Sequence, residues 1–488
     1  MMIPDYILEI MERLMSAGFS VEIVGGAVRN LLMNKQPKDW DLTTQAKPPE
    51  ILSLFPEAKY ENDFGTVIIP CRTSDGSLSD VVEVTTYRSE QAYSDRRHPD
   101  EIKFENSLEK DLERRDFTIN AMALILDKAG EYEWSGRHFR LVDLFGGLKD
   151  IHKKVIRAVG EPSDRFKEDA LRMMRAIRFS AQLGFSLEPK TQRGVVKLAG
   201  SLKFVAKERI RDELIKIIAS NQPAEGIAAL HEAKLLQYII PELEQGVGVR
   251  QNHHHIYPVF KHNLLSLKYC PSQEWTVRLA ALFHDIAKPK TRRLINGQVT
   301  FYNHEYVGAK MVDRIMTRLK FKNEDREKVV NLVKNHMFYY NVGEVSAASV
   351  RRLISKVGRE NLQDLIYLRV ADRLGSGTPK AMPYNLRHLQ YMLEKVQNDP
   401  VSVKMLAING DDLISVLKLT PGPKFGAILD VLLGEVLEDP ARNERSYLLA
   451  RAEKIKEQNL DEIREQARKL IEEKRDDDDQ SLQRRFKV

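Results

Sequence analysis

Two aspartates one residue apart, Asp39-Trp40-Asp41, are the first residues in this chain whose spacing suggests chemistry. Alternation along a strand puts residues i and i+2 on one face, so the pair predicts two neighbouring carboxylates, hard oxygen ligands for Mg²⁺. Two such ions can activate an attacking 3′-hydroxyl and neutralise a leaving pyrophosphate. Upstream, Val24-Gly25-Gly26-Ala27-Val28-Arg29 reads as the end of an apolar strand, a Gly-Gly turn and a helix start. Such a turn offers backbone N–H groups and one guanidinium to a phosphate chain. Asp39 follows Arg29 by ten residues, and the two features together predict nucleotidyl transfer.

Farther along, the segment DRFKEDALRMMRAIRFSAQLGF, starting at Asp164, reads as one helix, with Leu171, Met174, Ile177 and Phe179 available for a core. Arg172, Arg175 and Arg178 recur every three residues and predict one basic stripe. Asp169, three residues before Arg172, predicts a pair that sets an acceptor beside a rigid donor fork. That edge fits the exocyclic amine and ring acceptors of C or A. The carbonyl of U would face the carboxylate and leave buried polar groups unpaired, at about 1–3 kcal/mol per group. The second half of the chain is richer in histidine. It carries His262, the adjacent His284-Asp285, and Asp372, with His304 and His336 between them. The only cysteines, Cys71 and Cys270, are far apart, which predicts neither a disulfide framework nor a thiolate cluster.

The run from Val24 to Thr44, VGGAVRNLLMNKQPKDWDLTT, resembles the signature of the DNA polymerase β-like nucleotidyltransferases, specifically the class II tRNA nucleotidyltransferases and their poly(A) polymerase relatives. The resemblance implies that Gly26 and Arg29 bind the nucleotide and that Asp39 and Asp41 hold catalytic Mg²⁺. It also implies tRNA, CTP and ATP as partners in building the 3′ CCA end. Asn30 stands where the family usually has Asp, keeping an acceptor but losing a charge. Glu83 is the candidate for the third carboxylate typical of the superfamily. The run DLERRDFTINAMA from Asp111 matches a family motif that contacts ribose and triphosphate through Arg115, Asp116 and Asn120; by its own residues it reads equally as a capped helix start. Glu168-Asp169-x-x-Arg172 resembles the motif credited with base templating, and Arg175 and Arg178 are implied to reach the nucleotide. The polar segment from Tyr87 to Phe104 reads as a mobile loop. A loop of this kind is linked in the family to the switch from C to A addition, which argues against a CC-only enzyme.

His262, His284, Asp285 and Asp372 follow the ligand order of an HD domain, with His304 and His336 placed to support a second ion. That resemblance implies a divalent metal of unspecified identity and phosphohydrolase activity on phosphoesters such as 2′,3′-cyclic phosphates; an inactive helical scaffold is the alternative. His253 to His255 carry no assignment. The stretch from Leu406 to Leu433 resembles a C-terminal segment of bacterial tRNA nucleotidyltransferases, where its Pro-Gly-Pro turn suggests an RNA contact. Three rival functions share these motifs: an enzyme adding only the terminal A, a poly(A) polymerase, and a nucleotide phosphohydrolase whose head only binds RNA.

These residues need an α/β platform followed by helices, a fold class of α+β. Strand-like runs (VEIVGG, WDLTT, GTVIIP, VVEVTTY) fill the region from Phe19 to Leu126, and helical periodicity takes over after Asp164. The expected divisions are a polymerase β-like nucleotidyltransferase head over 1–145, a helical base-recognition and RNA-binding neck over 146–245, an HD domain over 246–378, a helical tRNA-binding region over 379–475 and a charged tail over 476–488. The Gly-Gly of DLFGGLKDI reads as the hinge after the head. Net charge is +6 over 488 residues, and thirteen Lys/Arg against six Asp/Glu lie between Arg165 and Lys216. This local excess is suited to a polyanion. The N-terminus reads as an amphipathic helix and not as a signal peptide, and no apolar run is long enough to span a membrane, so a cytoplasmic location is expected.

Overall fold

The structure is a computed structural model that describes residues 2–62, 65–72, 77–91, 101–251, 256–378, 380–397, 406–419, 422–465 and 483–488. It divides into two compact units, residues 1–334 with 371–377, and residues 335–370 with 378–488.

The first unit opens on helix α1 (Asp5–Ser16), which buries Ile7, Leu8, Ile10, Met11 and Leu14. A mixed eight-stranded sheet follows, built from β1 (Val21–Val24), β2 (Asp41–Thr44), β3 (Lys59–Asn62), β4 (Thr66–Arg72), β5 (Leu78–Thr86), β8 (Ala123–Leu126), β9 (Tyr132–Trp134) and β10 (Arg137–Val142), in the order β3-β4-β5-β2-β1-β8-β10-β9. Every residue of β1 is buried, as its central place in the sheet requires. Helices α2 (Gly26–Leu32), α3 (Pro48–Leu54) and α4 (Leu108–Glu113) punctuate the sheet. One core runs from Ile3 through the sheet to Phe185.

Two expectations change here. Asp39 and Asp41 do not share a strand, because β2 begins only at Asp41, paired with Val24. Continuing that antiparallel register would set Asp39 against Gly26, which already opens α2. The polar segment from Tyr87 to Phe104 is also not simply a loop. Its ends pair as strands β6 (Arg88–Gln91) and β7 (Glu101–Phe104), while residues 92–100 lie outside the described residues.

The Gly-Gly turn after the head begins α5 (Gly147–Lys153), with Gly146 at φ +73° and Asp143 accepting from the N–H groups of Gly147 and Leu148. Strands β11 (Val155–Ile156) and β12 (Ser186–Leu187) make a parallel pair around α6 (Pro162–Glu168) and α7 (Arg172–Leu183). The expected single helix from Asp164 is thus two. Asp169 is extended (φ −138°, ψ 106°), its Oδ1 accepts from the Leu171 N–H at 3.0 Å and its carbonyl from the Arg172 N–H at 3.0 Å. Local bonding by a short acidic side chain has replaced a helical turn. Helices α8 (Pro189–Leu198), α9 (Lys207–Ile218), α10 (Pro223–Glu232), α11 (Leu236–Ile239), α12 (Pro241–Glu244), α13 (Val259–Lys268), α14 (Trp275–Phe283), α15 (Lys288–Thr291), α16 (His304–Arg318) and α17 (Asn323–Asn335) continue the chain, with a hairpin of β13 (Arg293–Ile295) and β14 (Gln298–Thr300) before α16.

The second unit carries α18 (Ala347–Val357), most of α19 (Leu362–Gly375), α20 (Tyr384–Gln397), α21 (Gly410–Ser415), α22 (Pro423–Glu438) and α23 (Arg445–Ile455). It has its own core around Ile428, Leu432, Leu448 and Ile455. Among the described residues no helix is long and apolar enough to cross a membrane.

Candidate functional site

The Gly-Gly turn and both edges of β2 create the first site. Gly25 holds φ +70°, and a side chain added there would stand 3.2 Å from both Asp41 Oδ2 and Arg115 Nη1. A glycine is therefore what lets Asp41 and Arg115 approach the turn. On the other edge of β2, Asp41 lies opposite Glu83 of the parallel strand β5. Burial pushes the Asp41 carboxyl up, against the pull of Arg115 and with a smaller push from Asp39. Glu83 is raised by burial and then by Asp41, Glu61 and Asp39. Asp39 is exposed in the bend before β2, and Trp40 between the two aspartates is buried. Two carboxyls pushed up by burial and by neighbouring carboxylates suit a place where positive charge is to be bound.

Arg115 is held from below. Asp111, fully buried on α4, accepts from Arg115 Nη2 at 3.1 Å and from Arg114 Nη2 at 2.6 Å. Beside it runs a second chain of bonds. Arg29 Nη1 donates to Asn120 Oδ1 at 2.7 Å, Asn120 Nδ2 donates to Asp116 Oδ1 at 3.3 Å, and Arg175 Nη2 meets Asp116 Oδ2 at 2.6 Å. Burial, then repulsion from Arg178, lowers the Arg29 guanidinium to about 10. Asn30 accepts from Arg29 Nε at 3.2 Å and Nη2 at 3.0 Å, a neutral acceptor for the guanidinium. Phe179 packs under three guanidiniums, 5.2 Å from Arg29, 5.5 Å from Arg175 and 4.2 Å from Arg178.

The expected pair of Asp169 with Arg172 is absent. Asp169 instead accepts from Arg209 of α9, through Nη1 at 3.2 Å and Nη2 at 2.7 Å, a planar fork. Arg172 meets Glu168 at 2.7 Å and donates to the Arg114 carbonyl at 3.1 Å. The helix break explains the exchange, since Asp169 no longer sits one turn before Arg172 on a common helix. The expected stripe is divided too: Arg178 is buried against Glu213 at 3.0 Å. Sequence reading missed Arg209 and Glu213, which lie too far along the chain to leave a local pattern. Asp111 left one, at i+3 and i+4 to the two arginines it holds.

A second cluster sits among α13, α14 and the end of α19. His262 Nε2 and His284 Nε2 are 2.9 Å apart. Asp285 Oδ2 lies 3.2 Å from the former and 3.3 Å from the latter, and Asp372 Oδ1 lies 3.4 and 3.6 Å away. His284 Nδ1 is 2.8 Å from the Ala281 carbonyl, which fixes the proton there and turns the Nε2 lone pair inward. Such spacings are of the size expected for ligands about 2.1 Å from one ion. Burial alone would lower His284, but Asp285 and Asp372 outweigh it and push it up to about 10. Burial likewise works to raise Asp285, and Lys288 with His284 holds it well below the usual carboxylate range. The pocket thus demands positive charge, which a divalent ion can supply. His304 Nε2 reaches Asp285 Oδ1 at 3.1 Å. His336 is buried and falls in the second unit. His253 to His255 and the acidic run from Asp476 lie outside the described residues.

Three family models match the chain. They are described as the poly A polymerase head domain over residues 21–157, a probable RNA and SrmB-binding site of polymerase A over residues 184–246, and the HD domain over residues 263–376. The CCA-adding enzyme of Enterococcus faecalis is 32% identical over 445 residues, 90% of this chain and 92% of that protein. The A-adding tRNA nucleotidyltransferase of Deinococcus radiodurans is 38% identical over 352 residues, 68% of this chain and 76% of that protein. Among solved structures, the Bacillus stearothermophilus CCA-adding enzyme in complex with CTP has the same fold, with a TM-score of 0.59 and 24% identity across 93% of this chain and 99% of that one.

Proposed function

This chain belongs to the CCA-adding family of tRNA nucleotidyltransferases, and we propose that it completes and repairs the 3′ CCA end of tRNA from CTP and ATP through the site around Asp41. The tRNA 3′-hydroxyl attacks the α-phosphorus of the nucleotide, a new P–O bond forms, and the bond to pyrophosphate breaks. Asp39 and Asp41, with Glu83 beside them, would hold Mg²⁺, which supplies charge neutralisation and an acidified hydroxyl. Gly26, Arg29 and Arg115 bind triphosphate, Asp116 and Asn120 keep Arg29 and Arg175 aimed, and Asp169, held in plane by Arg209, would read the base edge together with the separately held Arg172. The observation that carries this reading is the meeting of Asp41, Arg115 and Gly25 at one turn, with Glu83 opposite Asp41 across the strand pair.

Labelled CTP and ATP should be added in full to tRNAs ending in the discriminator base, in C and in CC. Extension of only the CC-ended tRNA would identify an A-adding enzyme instead. Replacing Asp41 with Ala should lower transfer by at least about a thousandfold while tRNA affinity stays near the parent value, in keeping with a charge that acts in the transition state. Undiminished incorporation by that variant would sink the assignment.

The second centre would hold a divalent ion on His262, His284, Asp285 and Asp372 and hydrolyse phosphoesters. The ion, whose identity is left open, supplies Lewis acidity and a nucleophilic water there. Buried Lys288, 2.6 Å from Asp285 Oδ2, keeps that carboxylate ionised as a ligand.

A further inference from the structure

Resting on that phosphohydrolase reading, we propose that the β13–β14 hairpin and the start of α16 form a platform for the single-stranded 3′ end of an RNA, whose terminal phosphoryl group is directed to the histidine-aspartate cluster. Directly after His284-Asp285, four cations occur within six residues, Lys288, Lys290, Arg292 and Arg293. From Ile286 to His304 there is no Asp or Glu. Lys288 is buried at the cluster, while Lys290, Arg292 and Arg293 are exposed, so positive charge leads outward from the metal ligands along the surface. A phosphate backbone is the complement of such a track.

Two tyrosines continue it. Tyr302 is 72% exposed and Tyr306 51% exposed. Tyr302 lies in the turn before α16 and Tyr306 in its first turn, on either side of His304, which is buried with its Nε2 3.1 Å from Asp285 Oδ1. Large aromatic faces left in water within two residues of a buried polar cluster suit bases, which stack without regard to sequence. The hairpin adds a rigid edge. Asn296 and Gly297 both have positive φ, 48° and 75°, the conformation of a tight two-residue hairpin turn. All of β13 is exposed, including Leu294 at 69%, and among the described residues the ribbon pairs with no further strand. A lone two-stranded ribbon is marginal in water, and this one leaves both apolar side chains of β13, Leu294 and Ile295, exposed. A free mononucleotide would need one ring and one cation, whereas two tyrosines, three exposed cations and the ribbon offer contacts for several linked nucleotides.

The test uses the full chain and a fluorescein-labelled pentaribonucleotide with a 3′-phosphate and one 4-thiouridine. In EDTA, ultraviolet crosslinks mapped by mass spectrometry should fall within 293–306. Tyr302→Ala combined with Tyr306→Ala should raise the Kd about tenfold. Arg292→Ala with Arg293→Ala should weaken binding and flatten the slope of log affinity against log salt by roughly 1.4. With Mn²⁺ present, the tyrosine variant should raise KM for phosphate release from this RNA about tenfold, with p-nitrophenyl phosphate, which has no second nucleotide to stack, as the reference. Crosslinks confined to other segments, an unchanged Kd in both variants, or equal losses on both substrates would overturn the platform. A parent protein that crosslinks within 293–306 but hydrolyses neither substrate would overturn the phosphohydrolase reading and leave an RNA-binding surface.

Discussion

At the residue scale, the exchange of partners around Asp169 alters where base selection must be tested. A carboxylate gripped by both Nη atoms of Arg209 is fixed in plane, so its orientation toward a base depends on a residue forty positions away. Arg209→Ala should therefore relax discrimination between UTP and CTP in the same direction as Asp169→Ala, each by about five- to tenfold, the range of one misplaced polar group. Competition assays with the two nucleotides check this; a UTP-to-CTP ratio unchanged in Arg209→Ala would show that Arg209 has no part in selection. The types and order of the residues in the head were legible in the sequence, because Asp, Gly and Arg at short spacing are local signals. Their pairing was not, because ion pairs such as Asp169 with Arg209 and Arg178 with Glu213 are made by packing.

Glu22 is a second case that no local pattern disclosed. It sits in the buried strand β1, accepts from the Tyr87 hydroxyl, and lies near Asp111. Burial raises its carboxyl from 4.5 to about 7, against the Tyr87 bond and with help from Asp111 and Glu109. Because the folded pKa is the higher one, the folded state binds the extra proton, and the stabilisation present below about 4.5 is lost as pH rises through about 7. The loss should approach roughly 3 kcal/mol. Glu22→Gln keeps an acceptor for Tyr87 without the titration, so its melting temperature relative to the parent should climb between pH 5 and pH 8. A difference that is flat across that range would place the titration elsewhere.

At the element scale, strand runs in the head and helical periodicity beyond it were readable because apolar spacing reports which face is buried. The boundaries that matter most were not. Where β2 starts depends on its register with β1, and where α6 stops depends on one side chain competing with the helix. Contact between elements also sets tolerances hidden from sequence. A side chain on Gly147 would come within 2.3 Å of the Thr118 carbonyl and 2.8 Å of Met122 Sδ. Gly147→Ala must move α5 away from the turn over Thr118–Asn120, and Asn120 is the residue that holds Arg29. Overpacking of this kind costs about 1–3 kcal/mol. The variant should melt several degrees lower and lose transfer efficiency through a higher KM for nucleotide. Parent-like melting and KM together would show that α5 yields without disturbing Arg29.

At the scale of the whole molecule, the two centres differ in kind. Carboxylates and arginines surround Asp41, whereas imidazoles and carboxylates surround His284, so the second centre has the mixed hardness that accepts several divalent ions. The order of its ligands was legible because the His-Asp pair is contiguous; their convergence was not, because α13, α14 and α19 bring them together over more than a hundred residues. The centres also share no residue: His284 and Asp285 are separated from Asp41 by over two hundred positions and sit on different elements. Replacing Asp285 with Ala takes away a ligand-type oxygen that lies within 3.3 Å of both imidazoles and the partner of Lys288. Phosphate release from cyclic-phosphate or phosphorylated substrates should be abolished. Transfer of CMP and AMP to tRNA should stay within about twofold of the parent, since the bonds that hold Arg115 and Arg29 run to Asp111, Asn30 and Asn120. Circular dichroism at the assay temperature establishes that the variant is folded. A folded variant that loses both activities would mean that the histidine-aspartate cluster supports the transferase structurally, and separate chemistry at the second centre would have to be abandoned.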